Sequence, residues 1–230
     1  MTKMTDRFEK FFLWAIAGVL LSISIAAIII PKGEDVLLIN GNHNQFSDRF
    51  FAIITIGGEG QVFVPLILIL LFVRFSYAIA AVSAWAGHGI LCSVLKKLVF
   101  PTMLRPTGTL DNELLYFVPG VDVHSHYSFP SGHTATAFCF AVLVALLLRK
   151  KFVFFVMIAL AVMIGYSRVY LLQHFLMDVA AGAIIGTVAA VATWYLFVVY
   201  GKKEWLGRKL EFQFRRRRRS TFNEQRATTL

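Results

Sequence analysis

Long apolar runs constrain this chain more than any other feature of its sequence. The first run, from Phe11 to Ile30, contains no charged residue, and about 20 apolar residues are enough for a helix to cross a bilayer. A cleavable signal peptide would have a shorter apolar stretch and a small-residue cleavage site, so we interpret this run as an uncleaved helix. The chain is 57% hydrophobic and only 16% charged, which is less charge than a soluble domain carries. The sequence therefore predicts an all-α, polytopic membrane protein.

The apolar runs predict six transmembrane helices. Their approximate bounds are 11–30, 61–80, 81–97, 131–149, 152–168 and 176–200. The second and third spans are separated only by the weak break Arg74-Phe75-Ser76-Tyr77. Residues 33–60 mix polar and apolar side chains, which favours an interfacial helix between the first two spans. We assign residues 1–205 to a six-span membrane domain and residues 206–230 to a basic cytoplasmic tail.

Basic residues are distributed unequally between the two sides of this arrangement. The large majority of the 23 Lys and Arg residues lie in the N-terminal segment, in the turns after the second and fourth spans, and in the C-terminal tail. The positive-inside rule makes these segments, and both termini, cytoplasmic. The tail run Arg215–Arg219 is expected to bind anionic lipid headgroups, because basic clusters beside a membrane are attracted to them. We do not expect it to bind nucleic acid.

A polar tetrapeptide, Pro130 to His133, stands directly before a long apolar run. Ser131 follows a proline and is a suitable N-cap for a helix that begins at Gly132. The unpaired amides at a helix start, together with the helix dipole, form an anion site, and Gly132 allows the anion to approach the backbone. His133 would stand beside that anion, placed to donate a proton. An ordinary capped helix with a surface histidine is the alternative.

A second polar group surrounds the start of the last predicted span. His174 and Asp178 are four residues apart and would share one helix face if the span begins near them. A carboxylate that accepts one ring N–H leaves the other imidazole nitrogen free as a nucleophile. Arg168, at the end of the preceding span, offers a planar guanidinium suited to bidentate phosphate binding. These residue types indicate a site that holds and attacks a phosphate.

Two further cations, Lys97 and Arg105, lie at or beyond the external end of the third span. They would complete the charge around an anion, although snorkelling of Lys97 to the interface is an equally simple explanation. His124 and His126 form a His-x-His pair, which is a pattern that can bind zinc. No third ligand with suitable spacing is evident unless His133 is diverted, and we expect no metal and no cofactor.

These stretches resemble the three signature motifs of the type 2 phosphatidic acid phosphatase (PAP2) family, whose relatives include the vanadium haloperoxidases. Ser167, Arg168, His174 and Asp178 match the third motif in full, and Pro130 to His133 match the second. In the first motif six residues separate Lys from Arg-Pro, whereas seven separate Lys97 from Arg105 here. The resemblance implies a PAP2/haloperoxidase-like helical core in a bacterial cytoplasmic (inner) membrane. With both termini cytoplasmic and six spans, the three stretches are expected on the external, periplasmic face.

The resemblance also implies a role for each site residue. His174 would attack phosphorus and form a phosphohistidine, Asp178 would orient His174, and His133 would protonate the leaving oxygen. The phosphoryl oxygens would be bound by Lys97, Arg105, Ser131, Gly132 and Arg168. The implied substrate is a phosphorylated membrane lipid, such as phosphatidylglycerol phosphate, phosphatidic acid, undecaprenyl pyrophosphate or lipid A.

Two other functions remain compatible with the sequence. A lipid phosphotransferase would use the same site but pass the phosphoryl group to a lipid hydroxyl instead of water. A non-catalytic membrane protein could bind anionic lipid through a relict site, although the intact pair of His174 and Asp178 favours an enzyme.

Overall fold

A computed structural model describes residues 3–210, with side chains from residue 7 onward. The first half contains α1 (Lys3–Ile29), α2 (Glu34–Asn40), α3 (Gln45–Ile54), α4 (Phe63–Val73) and α5 (Phe75–Val94). The second half contains α6 (Pro106–Thr109), α7 (Gly132–Leu148), α8 (Lys151–Tyr170) and α9 (Leu176–Trp194). No β-strand occurs within residues 3–210. The fold is therefore all-α, as the sequence predicts.

Four helical segments are long and apolar enough to cross a membrane. They are Arg7–Ile29, Phe75–Val99, Lys151–Tyr170 and Leu176–Val199. Helix α7 is also apolar but shorter, and α3 and α4 form a pair bent by 60° around short 3₁₀ turns. Apolar helices of this length place the chain in a bilayer as an integral membrane protein.

The break between α4 and α5 falls at Arg74, whereas the second predicted span continues to residue 80. Arg74 has an extended backbone (φ −168°, ψ 133°), which ends α4 and begins α5. The carbonyl of Arg208 accepts a hydrogen bond from Phe75 N at 2.8 Å, and Leu210 N donates to the carbonyl of Leu71 at 2.9 Å. These long-range backbone bonds supply partners that a helix end otherwise lacks. The hydropathy of the sequence does not reveal these long-range bonds, and so it does not predict a break at Arg74.

Helix α7 lies at the centre of the bundle and packs against α5, α8 and α9. Its fully buried side chains include Phe138, Val142 and Leu143. A side chain at Gly182 would collide with the carbonyl of Ser131, and one at Gly186 with that of Ala135. Two glycines four residues apart thus let the α9 backbone approach α7 closely, as small residues do between membrane helices. Because both helices begin at the site, this contact fixes its two halves relative to each other.

Helices α2 and α3 are anchored to the end of α8 and the start of α9. Asp35, in α2, accepts a hydrogen bond from Leu176 N at 2.6 Å. The buried carboxylate of Asp48, in α3, accepts hydrogen bonds from the hydroxyls of Tyr116 (2.9 Å) and Tyr170 (2.6 Å). Buried carboxylates need such donors to compensate for lost hydration. These bonds hold α2, α3 and the loop around residue 116 over the end of the bundle that carries the site.

Candidate active site

The start of α7 forms one wall of the candidate site. Ser131 is fully buried, and its hydroxyl accepts hydrogen bonds from Thr134 N at 3.4 Å and from the Thr134 hydroxyl at 2.9 Å. Ser131 N in turn donates to the backbone carbonyl of Asp178 at 3.0 Å. Ser131 is thus the N-cap of α7 and joins it to α9. Ser131 thus satisfies Thr134 N, and the two amides before it, those of Gly132 and His133, lie ahead of the first intrahelical bond and can bind an anion.

Arg168 approaches from the last turn of α8 and is 7% exposed. Its Nη1 donates to the hydroxyl of Thr55 at 2.6 Å, while its Nε has no hydrogen-bond partner among the described residues. The backbone then turns tightly, because both Gln173 N and His174 N donate to the carbonyl of Arg168. This turn places the guanidinium and the imidazole on the same cavity.

His174 and Asp178 face each other at the start of α9. His174 precedes the helix and Asp178 occupies its first turn, and their closest atoms, Nδ1 and Oδ2, are 3.4 Å apart. Burial lowers the pKa of His174 to about 3, and its hydrogen bond to Asp178 opposes that effect. The same oxygen of Asp178 accepts from Ser128 Oγ at 2.5 Å and from Phe175 N at 3.0 Å. The geometry holds Nδ1 towards the carboxylate, and Nε2 makes no hydrogen bond to any residue that the structure describes.

Arg105 reaches the site from the loop before α6. Its Nε donates to the carbonyl of His126 at 2.9 Å, and its Nη1 donates to Oε1 of Gln173 at 2.5 Å. The Gln173 amide also donates to the carbonyl of Asp122 at 2.8 Å. Burial lowers the pKa of the Arg105 guanidinium, and the charge of Asp178 opposes the shift. An amide acceptor positions this guanidinium without neutralising its charge.

Lys96, and not Lys97, is at the cavity. Lys96 is half-buried and lines it, whereas Lys97 is exposed and lies outside the lining. Residues Leu95–Val99 form a π-helical turn closed by a hydrogen bond from Phe100 N to the Leu95 carbonyl at 2.8 Å. A π turn contains more residues than an α turn, so counting along a regular helix misplaces side chains within it.

These elements enclose a cavity of about 540 Å³. Of the predicted site residues, its lining includes Arg105, Gly132, His133, Arg168 and His174. Asp178 lies behind His174, and Ser131 is buried beneath the start of α7. The cavity has two guanidinium groups, an ammonium group and a helix start, which together can bind an anion. Its two imidazoles can transfer protons to and from that anion.

The sequence predictions did not include several residues around this cavity. Thr55 and Glu59 come from the segment between α3 and α4, and Lys96, Ser128 and Gln173 lie beside predicted residues. The one available signal was the run Gly57-Gly58-Glu59-Gly60, which places a carboxylate among glycines in an apolar region. As for metals, His124 lines the cavity, and residues 3–210 contain no group of three or more His, Cys, Asp or Glu arranged to hold an ion.

Comparison with known proteins gives one consistent family. A lipid A 4'-phosphatase of Bacteroides thetaiotaomicron is 32% identical over 163 residues, or 65% of this chain and 69% of that protein. A lipid A 4'-phosphatase of Porphyromonas gingivalis is 24% identical and covers 74% of each chain. An undecaprenyl-diphosphatase of Sulfolobus acidocaldarius is 27% identical and covers 78% of this chain and 88% of that one.

Solved structures agree with the sequence comparisons. The crystal structure of Aquifex aeolicus LpxE aligns with a TM-score of 0.61 and 29% identity, and the alignment covers 69% of this chain and 91% of that chain. A PAP2-type phosphatidylglycerolphosphate phosphatase of Bacillus subtilis shares the fold with a TM-score of 0.58 and 22% identity, over 84% and 94% of the two chains. The sequence model of the PAP2 superfamily matches residues 65–201, which contain all three polar stretches. The chain belongs to the PAP2 superfamily.

Proposed function

We propose that this protein is a lipid phosphatase that hydrolyses a phosphate monoester or diphosphate ester of a membrane lipid through a phosphohistidine intermediate. The observation that carries this proposal is the pair of His174 and Asp178 beside a cavity that also holds His133 and three cationic side chains. Membership of a phosphatase family makes a phosphoric ester hydrolase the corresponding enzyme class.

The first chemical step forms one bond to phosphorus and breaks another. Nε2 of His174 attacks phosphorus, the bond to the lipid oxygen breaks, and His133 gives its proton to that oxygen. Asp178 holds the proton on Nδ1 and stabilises the charged ring. Arg105, Arg168 and Lys96 bind the phosphoryl oxygens and stabilise the negative charge on them.

The second step removes the phosphoryl group from His174. A water molecule attacks phosphorus, His133 takes its proton, and the phosphorus–nitrogen bond breaks to release phosphate and free His174. The cations of the cavity supply the electrostatic stabilisation that a metal ion supplies in other phosphatases. The proposed reaction is therefore metal-independent. The sequence motif favours Lys97 as the first-motif lysine. Lys96 lines the cavity and Lys97 does not, which supports Lys96 in that role instead.

The relatives support a lipid as the substrate. Their names specify lipid A, phosphatidylglycerophosphate and undecaprenyl diphosphate, and each compound presents a phosphate at a membrane surface. We propose the same class for this protein. A phosphotransferase would release no inorganic phosphate unless water replaced its acceptor, so phosphate release without an added acceptor separates the two activities.

We further propose six membrane spans in a bacterial inner membrane. The four long helices, the bent pair α3–α4 and the shorter α7 would together supply the six. With cytoplasmic termini, this arrangement places the site on the periplasmic face. Residues 1–205 would form the membrane domain and residues 206–230 a basic tail that binds anionic headgroups. Most of that tail, residues 211–230, lies outside the described residues.

Replacing the proposed nucleophile tests this function. Purified protein should release phosphate from at least one phospholipid, prenyl pyrophosphate or lipid A in the presence of a chelator. His174→Ala should lower kcat to the assay background, roughly 10⁴-fold or more. Activity that survives His174→Ala, or that the chelator abolishes, would count against the mechanism. Trapping of ³²P on the wild type but not on His174→Ala would support the intermediate.

A further inference from the structure

A second cavity adjoins the candidate active site. It has a volume of about 630 Å³ and extends from Lys96, in the π turn after α5, along α5 towards Trp85. The two cavities share four lining residues, Glu59, Lys96, Gly132 and His133. His174 lines the first cavity and is absent from the lining of the second. The second cavity therefore begins on the His133 side of the phosphate position.

The geometry of phosphoryl transfer relates the second cavity to the leaving group of the substrate. The attacking and leaving atoms lie on opposite sides of the phosphorus, so the group that leaves points away from His174. His133, the proposed proton donor to the leaving oxygen, stands where the two cavities meet. On the mechanism proposed above, the second cavity is where the leaving group of the substrate lies.

The lining of this cavity is not purely apolar. Beside Trp85 and Val64 it has hydrogen-bonding side chains on Glu59, Gln61 and Ser93. A leaving group that carries hydroxyls can hydrogen-bond to these side chains, whereas a hydrocarbon cannot. The cavity thus fits a leaving group that carries hydrogen-bond donors.

Glu59 lies where the two cavities meet, next to His133. A side chain at Gly58 would collide with Cβ of His133, so the backbone just before Glu59 packs directly against the proton donor. Glu59 is the only carboxylate in the lining of the second cavity. Glu59 and Arg168 line the first cavity together, yet the two side chains form no ion pair within 4.0 Å in the described part of the chain, and Arg168 bonds to Thr55 instead.

A carboxylate beside a phosphate site is unfavourable unless it has another partner, because it repels the anion that the cations attract. Such a repulsive element discriminates between ligands. It accepts hydrogen bonds from hydroxyl groups next to the bond that breaks, and it repels a leaving group whose phosphate charge lies directly on the departing oxygen's phosphorus.

We infer that Glu59 determines specificity for the leaving group, and that this protein prefers lipids whose phosphate is attached to a hydroxyl-bearing group, a glycerol or a sugar. Prenyl diphosphates are disfavoured, because their leaving group is an anionic prenyl phosphate. This inference rests on the proposed phosphatase function and names the substrate class of the same site. Glu59 acts as a specificity-determining residue and takes no part in the proton transfers.

The test compares four lipids with one set of variants in mixed micelles. Phosphatidylglycerol phosphate supplies a glycerol hydroxyl, with its phosphodiester at the far end of that glycerol, and lipid A supplies sugar hydroxyls. Phosphatidic acid supplies neither donors nor extra charge on its leaving group, and undecaprenyl pyrophosphate supplies a leaving group charged at the phosphate that carries the departing oxygen. For Glu59→Ala, kcat/KM should fall roughly 10- to 100-fold on whichever hydroxyl-bearing lipid the wild type hydrolyses, the loss expected for a charge-assisted hydrogen bond. It should change less than threefold on phosphatidic acid and rise on undecaprenyl pyrophosphate.

Glu59→Gln removes the negative charge of the side chain and keeps its shape. It keeps an acceptor oxygen, so it should lose less activity on the hydroxyl-bearing lipid while still gaining on the diphosphate. Glu113→Ala, on an exposed loop, is the matched control for removal of an acidic side chain. Thermal unfolding of each variant verifies folding, and the ratio of activities on two lipids is independent of the folded fraction.

The outcomes distinguish this inference from the proposed function. An equal loss on all four lipids would overturn it and indicate that Glu59 acts through Arg168 on the shared phosphoryl group. Unchanged activity on all four would also overturn it. If the wild type released phosphate from none of them, or if His174→Ala remained active, the proposed function itself would fail and the inference with it.

Discussion

Ser128 donates a hydrogen bond from its hydroxyl to Oδ2 of Asp178 at 2.5 Å, the same oxygen that faces His174 at 3.4 Å. Ser128 is 1% exposed and lies three residues before the N-cap of α7. A hydroxyl and a backbone amide therefore fix the carboxylate from two directions before it meets the imidazole. Such supporting bonds hold catalytic groups in their productive geometry.

Ser128→Ala should lower kcat about three- to tenfold and leave KM nearly unchanged. The substitution removes about 1 kcal/mol of hydrogen bonding from a carboxylate that orients His174 and does not contact the substrate. Steady-state kinetics on the preferred lipid provide the measurement. Ser22→Ala, an exposed serine of α1, is the matched control. A rise in KM with constant kcat would show that Ser128 affects substrate binding instead.

Asp178→Asn should be less damaging than His174→Ala but still lower kcat by about 100-fold or more, the cost of misplacing a catalytic group. The amide can donate as well as accept, so it no longer selects the His174 tautomer with the proton on Nδ1. The formation rate of the phosphohistidine, followed by rapid quench, isolates this effect. Equal activity of Asp178→Asn and wild type would contradict the orienting role.

The sequence indicated much of this site because ionisable side chains are rare in an apolar chain and stand out. Arg105, His133, Arg168 and His174 line one cavity, as their motifs suggested. The predicted proximity of His174 and Asp178 is also present, although His174 precedes the helix. Local spacing was sufficient for His133, Arg168 and His174, since the second motif lies at one helix start and the third at one connection between two helices.

Other parts of the site depend on geometry that one-dimensional patterns do not encode. Glu59 reaches the cavity only because α3 and α4 are bent by 60°. Lys96 replaces Lys97 at the lining because the chain ends α5 in a π turn. Gln173 is a neutral side chain, and its importance depends on Arg105, which is 68 residues away in sequence.

Gln173→Ala should raise KM by roughly three- to tenfold. Without the Oε1 acceptor, Arg105 keeps one fixed hydrogen bond, to the His126 carbonyl, and its guanidinium is less well positioned for the phosphate. Gln173→Glu should be more damaging than Gln173→Ala, because a carboxylate would pair with Arg105 and compete with the substrate. Phosphate inhibition constants and KM values on the same lipid measure both effects. A milder effect for Gln173→Glu would argue against positioning of Arg105 by Gln173.

Lys96→Ala and Lys97→Ala form a matched pair of neighbouring substitutions. Lys96 lines both cavities, whereas Lys97 is exposed. Loss of an ammonium group that stabilises the transition state should lower kcat/KM by about 100-fold or more for Lys96→Ala. Lys97→Ala should retain activity within about threefold. The reverse result would restore Lys97 as the first-motif lysine.

Because of His174, the free energy of unfolding should decrease as the solution is acidified. Protonation of His174 should not lower the activity of the free enzyme near neutral pH. Its folded-state pKa is about 3, below the value of about 6.5 for an unfolded chain. Between those values the unfolded chain binds the proton more readily, so this contribution to stability is complete above pH 6.5 and is lost as the pH falls towards 3. Thermal unfolding of wild type and His174→Asn between pH 4 and pH 8 measures the difference. The wild type should lose more stability on acidification, and parallel curves would contradict a buried, neutral His174.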